Sequence, residues 1–327
     1  MRAIPCEVCG SNGHRFLFEG RDRIFGLPGT FNVVRCEGCG LLFINPQPEL
    51  EALKGYYPGN YYESHSSRFR EYSRLKKTVM ETYYGYGKGS NLSSPMKLGR
   101  KVILLPHKVW YGYSIPFGEG GRLLDIGCGN GTELYRLKAM GWEGHGVEMD
   151  PEASERARGQ GLSVFTGDLL EAGYPDGFFH VVRMSYVLEH LCNPRETLRE
   201  IKRILVPGGR LYISVQSARS LHYWLFGRNW FSLDVPRHLF SFDPGTLRRL
   251  LSSVGLEIRS VRCESGPRTF LGSLQYWVNE RYRGGASLEE SRAIFESHFL
   301  RHLFHPLCWS MDRLGLGDLI HLEAVKT

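Results

Sequence analysis

From Gly121 to Val215 the apolar residues fall into short runs, separated by stretches in which they recur every three or four positions. Short runs bounded by glycine predict buried strands, and the three-to-four spacing predicts amphipathic helices. Strands are therefore expected at 122–126, 144–149, 163–166, 178–184 and 210–215. Helices are expected at 132–140, 151–158 and 194–205, the last ended by Pro207-Gly208-Gly209. Strand–helix alternation implies parallel βαβ units, hence an α/β fold with a doubly wound, covered sheet. Such sheets bind ligands beyond the carboxyl ends of their strands.

After Val215 the alternation loosens. Residues 216–243 are rich in aromatics, 244–254 read as a helix capped by Asp243, and 257–263 as a strand. A helical stretch over 270–315 precedes a last strand at 318–325. Ahead of the regular region, 49–118 has mixed helical periodicity and many tyrosines (Tyr56, Tyr57, Tyr61, Tyr62, Tyr83 and Tyr84), with Pro106 and Pro116 expected to break its later part. Residues 1–45 read as short strands and turns, closed by Asn45-Pro46-Gln47-Pro48. The pattern thus divides the chain into 1–48, a helical linker or cap at 49–118, and a main domain at 119–327. It shows no internal repeat.

Composition changes this picture little. A chain of 327 residues can bury a core without disulfides. Forty-one basic residues against 34 acidic ones give a charge of +7. That mild excess suits nucleic acid, phosphorylated substrates or an anionic membrane surface, but a plain solvated surface is the plainer reading, since no long basic run occurs. The N-terminus has no signal-peptide pattern, and no run approaches the ~18 apolar residues of a membrane span. A cytoplasmic protein with reduced thiols is the expectation.

The eight cysteines then gain meaning from their spacing. Cys128, Cys192, Cys263 and Cys308 are scattered and expected to be inert. The other four form Cys6-Glu7-Val8-Cys9-Gly10 and Cys36-Glu37-Gly38-Cys39-Gly40. Each Cys-x-x-Cys turn brings two thiolates to one ion, and two turns complete a tetrahedral zinc site. Neither pair opens a helix, as a redox pair would. A segment this short needs such a staple, and structural zinc contributes on the order of 10 kcal/mol of folding free energy. Four sulfur ligands leave no open position, so the site is expected to be structural.

The segment Leu124-Asp125-Ile126-Gly127-Cys128-Gly129-Asn130-Gly131-Thr132 carries the candidate chemistry. Glycines at a strand-to-helix turn let backbone approach a ligand closely. The spacing is G-x-G-x-G with an acid two positions ahead of it, which suits a cationic ligand better than a pyrophosphate. S-adenosylmethionine carries an ammonium and a sulfonium, and Asp125 is placed to serve the ammonium directly or through water. Glu148 ends the second strand and is placed to accept both ribose hydroxyls. Asp168 ends the third, placed for the adenine amino group, with Leu169 against the ring; Met149 and Ser185 join the set at strand ends. Singly, each acid reads more plainly as a strand-end cap or a solvated surface residue. Three at successive strand ends, with the glycine loop at the first, read as a site.

On these residues, 120–260 resembles a class I S-adenosylmethionine-dependent methyltransferase. The matching segments are Leu123–Thr132, Gly146–Asp150, Gly167–Leu170, Val187–Pro194 (Val-Leu-Glu-His-Leu-Cys-Asn-Pro) and Leu205–Ser214. The resemblance implies a Rossmann-like seven-stranded sheet with its last strand antiparallel, at 318–325, and makes 270–315 an insertion. With its zinc-ribbon-like front, the chain is similar to bacterial methyltransferases with an N-terminal zinc-binding segment. Many of those act on sugars, lipid-linked intermediates or secondary metabolites.

Methyl transfer needs an oriented acceptor and a group to take its proton. His190, after the fourth strand, and His238, in Leu233-Asp234-Val235-Pro236-Arg237-His238-Leu239, are the candidate bases; structural hydrogen-bonding histidines are the plainer reading of both. Arg237 is placed to hold a substrate anion and Asp234 to orient His238. Trp224, Phe226, Trp230 and Phe231 wall an acceptor pocket, meet a membrane surface, or simply pack. The leading expectation is methylation of oxygen or carbon on a small molecule. The alternative is an RNA methyltransferase with a zinc recognition module. Against it, the zinc segment lacks a dense Lys/Arg cluster, and Met184-Ser185-Tyr186-Val187 replaces any Asn-Pro-Pro-Tyr-type motif. A third class is a binding module that keeps the fold without catalysis.

Overall fold

The computed structural model describes residues 1–58, 69–86, 94–111, 114–117 and 121–327; Tyr61 and Tyr62 lie outside them. The chain forms two compact units. The first comprises Met1–Tyr61, Ser185–Lys202 and Ile213–Thr327, the second Tyr62–Met184 and Arg203–Tyr212. This division cuts across the three successive segments that the sequence pattern suggests.

The first unit opens with β1 (His14–Gly20), β2 (Phe31–Cys36) and β3 (Leu42–Ile44), followed by the short helix α1 (Leu50–Lys54). The strands form an antiparallel meander. Phe31, Val33, Val34, Leu42, Phe43 and Ile44 are all buried, more apolar surface than three short strands can cover alone. The covering strand comes from far along the chain: Phe240–Ser241 pairs antiparallel with β3, so the cysteine-rich front is a four-stranded sheet. Phe240 stacks on Phe43 with ring centroids 6.5 Å apart.

In the second unit, α2 (Arg74–Tyr83) and α3 (Ser94–Tyr111) precede β4 (Arg122–Ile126), α4 (Thr132–Ala139), β5 (Glu143–Glu148), α5 (Pro151–Arg158), β6 (Ser163–Thr166) and β7 (Phe179–Ser185). Val79, Met80, Tyr84, Tyr86 and Leu104 share one core with Leu123, Leu134, Leu137, Trp142 and Leu162. Residues of the 49–118 segment thus contribute to this core. Pro106 lies inside α3 and does not break it. The Trp142 indole donates to the Tyr86 hydroxyl at 3.2 Å, which donates to the Ile115 carbonyl at 2.9 Å, so these buried polar groups are satisfied.

The remaining elements are α6 (Pro194–Ile204), β8 (Leu205–Gln216), α7 (Leu221–Phe226), β9 (Phe240–Ser241), α8 (Pro244–Ser253), β10 (Leu256–Glu264), α9 (Pro267–Tyr282), α10 (Ala293–Glu296), α11 (His298–Arg313) and β11 (Leu319–Lys326). Asp243 caps α8 in a capping box with Thr246, as its position before Pro244 predicts. In the helical insertion, Phe270 and Leu271 of α9 pack on Cys308 and Met311 of α11, which accounts for Cys308 as a core residue.

The main sheet has seven strands in the order β10-β11-β8-β7-β4-β5-β6. β4 pairs parallel with both β5 and β7, and β5 with β6, while β11 runs antiparallel to β10. Leu123, Leu124, Val182 and Met184 are fully buried, as strands covered on both faces require. Because β4 has β5 on one side and β7 on the other, the winding reverses at β4. The carboxyl end of β4 is the switch point at which such sheets bind ligands.

Candidate functional site

β4 ends at Ile126, and the chain turns through Gly127, Gly129 and Gly131, at φ of 66°, 56° and 79°. The Gly127 and Cys128 amides both donate to the Val147 carbonyl, at 2.8 and 3.2 Å, which ties the loop to β5. The glycines differ in what they permit. A Cβ on Gly131 would lie 2.5 Å from Leu162 and 2.8 Å from Ala157, so this glycine serves packing at the start of α4. A Cβ on Gly129 would meet nothing within 4 Å, so the backbone there faces open space. Asn130 Oδ1 accepts from the Thr132 amide at 3.1 Å and its hydroxyl at 2.8 Å, fastening the first helical turn.

Three carboxylates stand at the carboxyl ends of β4, β5 and β6. Asp125 is only 2% exposed, and its Oδ2 accepts from Arg183, opposite it in the register, at 2.7 Å. Burial raises the Asp125 carboxyl to about 6, against the pull of Arg183. Burial works against the Arg183 charge, but Asp125, Glu133 and Tyr72 hold it above the ordinary arginine value. Glu148 Oε2 accepts from the Gly129 amide at 2.7 Å and Oε1 from the Asp150 amide at 2.9 Å. Burial raises this carboxyl too, opposed by those amides. Each oxygen keeps a lone pair for a further donor. Asp168 accepts from the Leu170 amide at 2.8 Å and caps the turn Leu169–Glu171 in a capping box. Leu169, expected against a ring, is buried at 2% exposure, and Leu170 beside it is the exposed side chain at 41%. Met149 is exposed and Ser185 half-buried.

In the first unit the four clustered cysteines converge. Cys6 and Cys39 sulfurs are 3.5 Å apart, Cys9 and Cys36 sulfurs 3.4 Å, and all four lie within 4.8 Å of one another. Zinc at about 2.3 Å from each sulfur requires S···S separations of roughly 3.8 Å, so the donor set fits a tetrahedral ion. The two turns are alike: the Gly10 amide donates to the Cys6 carbonyl at 2.7 Å and the Gly40 amide to the Cys36 carbonyl at 2.9 Å. Two arginines pin these turns. Arg195 of α6 donates to the Glu7 and Val8 carbonyls at 2.7 and 3.0 Å, and Arg249 of α8 to the Gly38 carbonyl at 3.3 Å.

His190 and His238 also meet in the first unit, edge to face with centroids 4.6 Å apart. His190 Nδ1 is 2.9 Å from the Arg237 carbonyl and 3.0 Å from the Tyr57 hydroxyl. His238 Nδ1 is 2.8 Å from the Ser232 carbonyl. A carbonyl only accepts, so each Nδ1 carries the proton and each Nε2 keeps its lone pair. Burial, with His238 adding to it, pushes the His190 imidazole down to about 3, so it is neutral at physiological pH. The neighbouring Glu189 carboxylate is 1% exposed and neither oxygen makes a hydrogen bond of normal geometry.

Residues 68–261, more than half of the chain, match the family described as Methyltransferase domain. The chain belongs to this methyltransferase family. Norajmaline N-methyltransferase of Rauvolfia serpentina is 29% identical over 150 residues, 43% of this chain and 51% of the relative. The 27-O-demethylrifamycin SV methyltransferase of Amycolatopsis mediterranei (strain S699) is 36% identical over 106 residues, 30% of this chain and 39% of the relative. The chain thus spans less than two thirds of the length of these curated relatives. The crystal structure of a SAM dependent methyltransferase from Archaeoglobus fulgidus aligns with a TM-score of 0.43 at 22% identity, over 72% of this chain and 95% of that one.

The methyltransferase chain places other expected residues differently. Arg237 is fully buried. It donates to Asp22 at 2.6 Å, to both oxygens of Asp234 and to the Tyr56 carbonyl at 3.0 Å. Asp234, expected to orient His238, lies 3.9 Å from its Nε2, beyond hydrogen-bond reach. The orienting group is Ser232, whose hydroxyl donates to Asp318 at 2.7 Å. Asp318 also accepts from Trp230 at 2.6 Å and Ser220 at 3.1 Å. Burial works to raise the Asp318 carboxyl, but His222, Ser232 and Trp230 hold it below the usual range. Trp230 is thus a buried donor, and Phe231 packs on Phe295 and Tyr276. Phe226 packs on Phe270, which leaves Trp224, 77% exposed, as the one aromatic of the expected wall facing solvent. Sequence reasoning missed Arg183, Arg195, Tyr57 and Asp22. Glu189 stood in a quoted motif without a role, although its adjacency to His190 was a usable signal.

Proposed function

We propose that this methyltransferase moves the methyl group of S-adenosylmethionine to an oxygen or carbon of a small molecule: a sugar, a lipid-linked intermediate or a secondary metabolite. The observation that carries the reading is the loop at the switch point, where the amide of the open-faced Gly129 is held by Glu148 and Asp125 and Asp168 stand at the ends of the neighbouring strands. In this reading the Gly127–Gly131 backbone admits the cofactor closely, Asp125 offers charge to the ammonium, Glu148 receives the ribose hydroxyls and Asp168 the adenine amine. Met149 and Ser185 complete the set, and Leu170 joins Leu169 as a candidate for the ring. Relatives named for N-methylation of norajmaline and for methylation of 27-O-demethylrifamycin SV support a small-molecule acceptor.

His238 and His190 are the candidates for the acceptor's proton, each with a free Nε2 lone pair. The four cysteines hold a structural zinc ion in this reading. The ion has no catalytic part, because four sulfurs close its coordination. Among the described residues no helix is long and apolar enough to cross a membrane.

The test is calorimetry with S-adenosylmethionine. Losing a charge-assisted contact of about 1.5–3 kcal/mol weakens binding by roughly ten- to a hundredfold, so Asp125→Ala and Glu148→Ala are expected to show that loss. Wild-type affinity in both variants would overturn the site assignment.

A further inference from the structure

Two histidines and a glutamate lie together in the first unit, apart from the cysteine cluster. One ligand atom from each of Glu189, His190 and His238 falls within 4.8 Å of the other two. Both imidazoles are fixed from behind. Each donates Nδ1–H to a main-chain carbonyl, Arg237 O at 2.9 Å and Ser232 O at 2.8 Å, and presents Nε2 as a bare lone pair. A backbone carbonyl on the far nitrogen is the usual support of a metal-ligating histidine.

Glu189 supplies the second observation. Its carboxylate is 1% exposed, and neither oxygen has a hydrogen-bond partner of normal geometry, with the Gln216 side chain and the His238 ring acting on it. Leaving such a group buried without a strong partner is costly. The cations of the neighbourhood are committed elsewhere: the Arg237 guanidinium is taken up by Asp22, Asp234 and Tyr56.

We infer that Glu189, His190 and His238 bind a divalent first-row transition cation of the zinc, iron(II) or manganese(II) class. Two imidazoles and one carboxylate are the donor set of catalytic rather than closed sites. With metal–ligand distances of about 2.1 Å, a shared ion spans ligand pairs of at most roughly 4 Å, so small side-chain rotations close the triad. Three protein ligands leave coordination positions open, and an acceptor oxygen is the group such a position receives; with both Nε2 lone pairs on the ion, the ion in place of the imidazoles would ease loss of the acceptor's proton. The inference rests on the methyltransferase reading only for that last use; the binding site stands on its own residues.

The experiment uses full-length protein, stripped of metal under reducing conditions and titrated with cobalt(II). Two equivalents are expected. One carries the intense thiolate-to-cobalt band of a four-sulfur site, and the other adds only weak d–d absorption. Glu189→Gln, nearly isosteric, and the His190→Ala/His238→Ala pair are expected to retain the thiolate band and lose the second equivalent, with its affinity falling at least tenfold. Circular dichroism identifies any variant that fails to fold, and Glu189→Gln then decides the matter. Uptake of a single, thiolate-type equivalent by the wild type would overturn the inference, as would two unchanged equivalents in Glu189→Gln. Calorimetry with S-adenosylmethionine on the same samples separates the two readings: absent cofactor binding sinks the methyltransferase proposal and leaves the cobalt count standing.

Discussion

At the residue scale, the site is built from ionisable groups that burial has displaced from their ordinary behaviour. Asp125 is held at about 6, well above the ~3.9 of a free aspartate. In the cofactor-free protein it takes up a proton as pH falls through about 6, and the neutral carboxyl attracts a cation less. Affinity for S-adenosylmethionine is therefore expected to be flat above pH 7 and to decline below 6. In Asp125→Asn the affinity is weak and that decline is absent; calorimetry between pH 5 and 8 measures both. Arg237 has another task. Replacing it with Met leaves the Asp22 and Asp234 carboxylates buried without their cation, so a loss of about 3–5 kcal/mol in urea unfolding is expected. Asp125, Glu148, Asp168, the histidines and the cysteines could be picked out by reading, because strand ends and short spacings are local patterns. Their partners could not. Arg183 meets Asp125 through strand register, and the Ser232 carbonyl, not Asp234, supports His238, while the Asp234 carboxylate is taken up by Arg237.

At the element scale, apolar runs between glycines located every strand of the parallel region to within a residue or two, apart from β8, which begins five residues earlier than its apolar core. Each run is short, carries buried apolar residues and is bounded by turns, which makes it visible without tertiary information. What could not be read was β9, two residues long, whose existence depends on the exposed edge of β3. The region before β4 was legible as helices but not as core, since amphipathic spacing does not say which partner covers a face. The glycine loop offers a prediction at this scale. Gly131→Ala combines a left-handed residue, costing about 1–2 kcal/mol, with contacts to Leu162 and Ala157 closer than real Cβ atoms show. Gly129→Ala carries the same backbone strain and no clash. Gly131→Ala is thus expected to lose more stability in thermal unfolding, while Gly129→Ala loses a larger share of its cofactor affinity.

At the scale of the whole molecule, the cysteine cluster links distant stretches of chain. The Cys36–Cys39 turn joins β2 to β3, β3 pairs with β9, and β9 begins two residues after His238. Arg195 and Arg249 add ties from α6 and α8. Removing zinc with a chelator is expected to raise amide hydrogen exchange in β2, β3 and β9 together, and to leave exchange in β10 and β11 near its original rate. Exchange confined to the first 45 residues would show that the front sheet loosens without its borrowed strand. The borrowed strand also constrains how this protein can have been assembled or can be re-engineered. A front segment whose fourth strand is encoded some two hundred positions later cannot be exchanged by a simple fusion at its boundary. Recombination that swaps the first sixty residues between relatives should yield working chimeras only when Phe240 and its neighbours travel with them.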